Sequence, residues 1–132
     1  MRSFLNVIDL GSGRQIRVAE FGFYAERPSF HSDRDIGFFR GGKPFRLSLE
    51  TGIVSSGADD IPPCPSTEKQ RVYLNYKSSP SERTAYVELI YEDASERRVI
   101  ARFMGGDGTL GARPFNSDYS KVVFFGYPSD ID

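Results

Sequence analysis

Three short stretches of this chain, residues 70–77, 84–92 and 96–104, alternate apolar and polar side chains with the period of a half-buried strand. They also fit one another. A loop over Asp93-Ala94-Ser95 that sets Glu92 against Glu96 brings Leu89 opposite Val99, Val87 opposite Ala101 and Ala85 opposite Phe103. A loop over 78–83 that sets Lys77 against Thr84 brings Tyr76 opposite Ala85, Leu74 opposite Val87 and Val72 opposite Leu89. One sheet face then becomes wholly apolar, and a slip of one residue would turn that whole set into water. The pattern predicts an antiparallel meander over 70–104 at the centre of the fold. Residues 95–104 also read as a helix, with Ser95 as N-cap and Gly105 as terminator; the shared register favours the strand.

The rest of the chain supplies further strands. Residues 3–10 read as a strand, Gly11-Ser12-Gly13 as a turn and 14–24 as the next strand. In the latter the apolar phase switches from Ile16 and Val18 to Ala19, Phe21 and Phe23, which predicts a β-bulge near Val18-Ala19 or cover on both faces. Residues 25–35 read as a loop, 36–40 as a short strand, 41–44 as a turn and 45–51 as a cleanly alternating strand. Two irregular stretches follow, 52–69 with its prolines and the glycine-rich 105–118. In the last strand, 119–127, Val122, Val123, Phe124 and Phe125 are adjacent, so either both faces are covered or an aromatic edge is exposed. No internal repeat, heptad or linker stands out. Seven or eight strands cannot bury their apolar faces as one open sheet. The expectation is an all-β single domain over 1–132, a two-sheet antiparallel β-sandwich resembling a jelly roll.

Composition narrows the function more than it defines it. The net charge is −1, which argues against a nucleic-acid binder. A lone cysteine, Cys64, forms no intrachain disulfide, and residues 1–10 carry Asn6 and Asp9 inside a short apolar run unlike a signal peptide. No stretch approaches the ~20 apolar residues of a membrane helix. A cytoplasmic location without a membrane span is the expectation.

The candidate site is the outward face of the meander. The expected register forms rows of Arg71, Ile90 and Arg98, of Tyr73, Glu88 and Ile100, and of Asn75, Tyr86 and Arg102, with Lys77 at the edge and Arg97 turned the other way, opposite Tyr91. Tyr86 beside Arg102 would make a cation–π pair. Tyr and Arg are enriched in protein interfaces, although β-propensity alone also places Tyr and Ile on strands. The leading expectation is a non-enzymatic module that binds a protein partner through this face and the adjacent glycine-rich loop, with Asp107 at its rim. A lectin-like carbohydrate site using Tyr73, Asn75, Tyr86 and Asp107 is the alternative. Self-association through Phe124, Phe125 and Tyr127 would seal an exposed edge.

Chemistry has thinner support. His31 with Asp33 and Asp35 would share one side of an extended segment, giving an acid–base pair. A metal needs more ligands than this cluster supplies, so no metal and no cofactor are expected. The stretch 105–111 lacks the strand-to-helix context of a phosphate loop. Cys64 has no local nucleophile signature, and no Gly-x-Ser-x-Gly elbow exists. No catalytic residue is assigned.

Overall fold

A computed structural model describes residues 2–57, 69–79, 84–103 and 108–127. Ten strands form among them, and no helix. They are β1 (Ser3–Asp9), β2 (Gln15–Phe21), β3 (Glu26–Ser32), β4 (Asp35–Arg40), β5 (Lys43–Ser48), β6 (Val54–Ser56), β7 (Gln70–Ser79), β8 (Thr84–Asp93), β9 (Arg97–Phe103) and β10 (Lys121–Gly126). All pairings are antiparallel, in three sheets of order β10-β1-β2, β3-β4-β5-β6 and β7-β8-β9. The all-β expectation holds, but there are three sheets where two were expected, and ten strands where seven or eight were.

The physical reason lies in the last strand. Val123 and Phe125 pack with Leu5, Phe21, Phe30, Ile36, Phe38 and Leu47, joining β10-β1-β2 to β3-β4-β5. Val122 and Phe124 pack with Ile8, Leu10, Leu89 and Tyr91, joining β10-β1 to the meander. Alternate side chains of one strand thus enter two cores, and that sheet is covered on both faces. The four adjacent apolar residues are read by this cover, with no exposed aromatic edge: Phe124 and Phe125 are almost wholly buried.

The expected bulge is present. Leu5 pairs with Ala19 and Asn6 with Arg17, leaving Val18 as the extra residue of β2. The expected loop over 25–35 is instead largely β3, where Pro28 and the left-handed Arg27 (φ 52°) interrupt the alternation that would have marked a strand. Pro is tolerated there because β3 is the outermost strand of its sheet. The short β6 also went unread inside 52–69; Cys64 and Asp107 lie outside the described residues.

The second irregular stretch has an ordered part. Residues 108–116 run between β3 and β10. Arg27 N–H donates to the Gly108 carbonyl (2.7 Å) and Phe30 N–H to that of Arg113 (2.9 Å). On the other side, Val123 N–H donates to Pro114 (2.9 Å) and Phe125 N–H to Thr109 (3.0 Å). Gly111 sits so tightly against β3 that a Cβ there would fall 2.3 Å from the Pro28 carbonyl oxygen.

A repeat does emerge once the two hairpins are compared. Arg27-Pro28 precedes Phe30, Ser32-Asp33, Ile36 and Phe38-Phe39; Arg113-Pro114 precedes Phe115, Ser117-Asp118, Val122 and Phe124-Phe125. Phe30 pairs with Ile36 and Phe115 with Val122. The turns differ by one residue in length, which hides the match in the sequence. The two turns also clasp: Ser117 donates its N–H (2.9 Å) and hydroxyl (2.7 Å) to the Asp33 carboxylate.

Candidate interaction face

The meander of β7, β8 and β9 forms as expected, but its register is shifted. Ser79 pairs with Thr84, so Leu74 lies opposite Leu89 and Val72 opposite Tyr91. This is a two-residue shift, and the facing of β7 survives it because the strand period is two. At the other turn, Glu92 pairs with Arg97, not Glu96. The cause is Asp93, whose carboxylate accepts the N–H groups of Ser95 (2.8 Å) and Glu96 (2.9 Å) and the Ser95 hydroxyl (2.9 Å). This Asx turn holds four residues in the loop. It also replaces two like charges directly opposite each other with an ion pair.

The one-residue change exchanges Arg97 and Arg98. Arg97 now faces outward. Arg98 crosses to the packed side, where its guanidinium donates to the Leu10 carbonyl, lies 3.2 Å from Glu96 and sits 5.5 Å from the Tyr91 ring centre. A bulge then restores the phase: Ile90 pairs with Val99 but Leu89 with Ala101, leaving Ile100 extra. Ile100, expected outward, packs into the core between the sheets; Val99, expected inward, is 41% exposed. Tyr76, also expected inward, is exposed near the end of the meander.

The resulting face has three rows. The first is Arg71, Glu92 and Arg97, the second Tyr73, Ile90 and Val99, the third Asn75, Glu88 and Arg102. Lys77 and Tyr86 pair beyond them. Arg71 donates to Glu92 through Nε (2.8 Å) and Nη2, and these bonds hold the Glu92 carboxyl below its usual range. Arg97 Nε donates to the Tyr73 hydroxyl (2.9 Å), which donates in turn to Glu92 (3.3 Å). Arg71 also lies 4.8 Å from the Tyr73 ring centre. Arg102 Nε is 3.2 Å from Glu88, whose side chain is buried on this same face. The expected Tyr86–Arg102 pairing is therefore replaced by Glu88–Arg102.

Of the expected residues, Arg71, Tyr73, Asn75, Tyr86 and Arg102 share the face and Arg98 does not. Glu92, Arg97 and Val99 were missed. The Asp-x-Ser spacing of the turn was the available signal, since it favours the longer loop.

The residues of the His31 cluster each have a partner of their own. Arg46 Nη2 donates to His31 Nδ1 (3.0 Å), and the ring lies over Gly37, where a Cβ would meet Nε2 at 2.1 Å. Asp33 is held by Ser117, and Asp35 accepts from Ser32 (3.3 Å). No group of three or more His, Cys, Asp or Glu side chains suited to a metal occurs among the described residues. Among the described residues no helix is long and apolar enough to cross a membrane.

Comparison with known proteins adds little. No family model matches this chain, and no curated protein does. A solved structure described as "putative TolB from Agrobacterium tumefaciens" aligns with 92% of this chain at 17% identity and a TM-score of 0.35. The chain spans half the length of that protein. At that TM-score neither fold nor function is transferred.

Asp93 supplies a pH prediction. Hydrogen bonds from the Tyr91 hydroxyl (2.7 Å), then from Ser95, hold its carboxyl down to about 2. The fold therefore favours the ionised form, and its contribution is complete above about pH 4 and fades as pH falls toward about 2. Melting temperatures followed from pH 6 to pH 2 should decline more shallowly over that window in Asp93→Asn than in the wild type. Parallel curves would remove Asp93 from the acid response.

Proposed function

We propose that this chain is a non-enzymatic interaction module that binds a protein partner through the outer face of β7-β8-β9. One observation carries the reading: a row of Tyr73, Ile90 and Val99 crosses all three strands between two charged rows, with Ile90 buried at its middle and Val99 exposed at its edge. Apolar centres within polar rims are the usual anatomy of protein interfaces. The side chains are fixed before any partner arrives, by Arg97 and Glu92 on the Tyr73 hydroxyl. Such pre-ordering lowers the entropy cost of association. Carbohydrate recognition is less well supported, because Arg71 already lies over the Tyr73 ring that would stack on a sugar.

Val99→Glu is the sharpest probe, since Val99 is exposed and its loss leaves no buried group unpaired. Arg102→Ala is a poorer one, because it strips the buried Glu88 of its cation. Affinity capture with the wild type and with Val99→Glu, after circular dichroism has shown both folded, should recover a partner at least ten-fold less efficiently with the variant. Equal recovery would move the binding surface off this face.

A further inference from the structure

A concavity lies away from that face. A cleft of about 540 Å³ opens between β1-β2 and β5. Its walls are Val7, Ile16, Val18, Phe30, Leu47 and Leu49. Three turns supply its mouth: Asp33 follows β3, Ser48 and Gly52 flank the turn after β5, and Asn116, Asp118 and Lys121 come from the approach to β10. Ile16 is 50% exposed beside this space, an apolar wall left in water. The volume falls within the range of small-molecule sites, which combine apolar walls with a few placed polar groups.

The rim decides the charge of the occupant. Asp33 is fixed by Ser117, and Asp118 accepts the N–H (3.0 Å) and hydroxyl of Ser120. Both carboxyls lie below their usual range, Asp33 chiefly through the Ser117 backbone and Asp118 through the Ser120 hydroxyl. Lys121 lies 4.0 Å from Asp9, so part of its charge is met there. Arg34, on the turn after Asp33, is paired with Glu50 at 3.2 Å. Two fixed anions thus stand over a hydrocarbon-lined cleft with one shared lysine to balance them.

We infer that this cleft binds a small amphipathic organic cation, its hydrocarbon body between β2 and β5 and its ammonium group at Asp33 and Asp118. Apolar walls reward burial of the body. An anion of the same shape meets the two carboxylates and is rejected.

Three probes of one shape separate the contributions: 4-phenylbutylamine, 4-phenylbutanol and 4-phenylbutyrate, titrated calorimetrically at neutral pH and low salt. The amine should bind at least ten-fold tighter than the alcohol, and the carboxylate more weakly than either. Asp33→Asn/Asp118→Asn should bring the amine to the affinity of the alcohol. Ile16→Trp, at a half-exposed position, should weaken amine and alcohol alike by ten-fold or more, and it keeps the test alive if the double variant does not fold. No binding of the amine, equal affinity for all three probes, or binding indifferent to Ile16→Trp would each overturn the assignment.

Discussion

Gly111→Ala is expected to destabilise the protein by about 1–3 kcal/mol or more, a large effect for one methyl group. The added Cβ would lie 2.3 Å from the Pro28 carbonyl oxygen, 2.5 Å from Ser29 Oγ and 2.7 Å from the Arg27 carbonyl oxygen. Two of these atoms are backbone, so no rotamer change relieves the contact. The strap 108–116 would have to lift from β3, loosening the Arg27–Gly108 and Phe30–Arg113 hydrogen bonds. Gly22→Ala is the matched control, because a Cβ there meets nothing within 4 Å. Urea unfolding should show a clearly lower midpoint for Gly111→Ala and a midpoint near the wild type for Gly22→Ala. Coincident curves for all three proteins would mean that the strap does not hold the two sheets.

Phe125→Ala should cost still more, about 3–5 kcal/mol, the usual range for a buried phenylalanine. Phe125 is fully buried. Its ring lies 6.2 Å from Phe21, 6.1 Å from Phe38 in an edge-on contact, and 6.2 Å from Tyr127. These rings come from two strands, β2 and β4, and a chain segment past β10, so no single side chain can move in to fill the space. Domains have only about 5–15 kcal/mol in hand, which leaves this variant close to unfolding at 37 °C. Val54→Ala, on the exposed strand β6, should leave the melting temperature within a degree or two of the wild type. A Phe125→Ala protein as stable as Val54→Ala would show that the core joining β10 to β3-β4-β5 contributes little.

The legible parts of this fold are those written in local patterning. Alternation revealed the meander, and the phase switch after Val18 revealed the bulge of β2. The run Val122–Phe125 pointed to cover on both faces, yet the number of sheets depends on what supplies that cover, which no window of the sequence contains. In the candidate face, alternation was right for β7 and β8. It failed on β9, where two irregularities act in opposite senses: the four-residue turn at Asp93 flips the strand, and the extra residue Ile100 flips it back. Arg97, Arg98 and Val99 lie between them and, with Ile100, face opposite to the side that alternation gives. The repeated hairpins escaped notice because their turns differ in length, and the pairing of Phe30 with Ile36 and Phe115 with Val122 became visible only in space.

The pairing of β1 with β10 has a consequence for how this chain acquires its shape. Phe4 pairs with Gly126 and Asp9 with Lys121, so β1 finds its partner more than a hundred residues further along the chain. Until β10 arrives, Leu5 and Ile8 point toward two cores that each lack a wall. Contacts so distant along the chain slow folding, because a long loop must close before they reward it. The hairpins β3-β4-β5 and β7-β8-β9 are local and can form before β1 meets β10. The middle sheet is the keystone, completed only when β10 joins β1, and until then β1 is paired on one side alone.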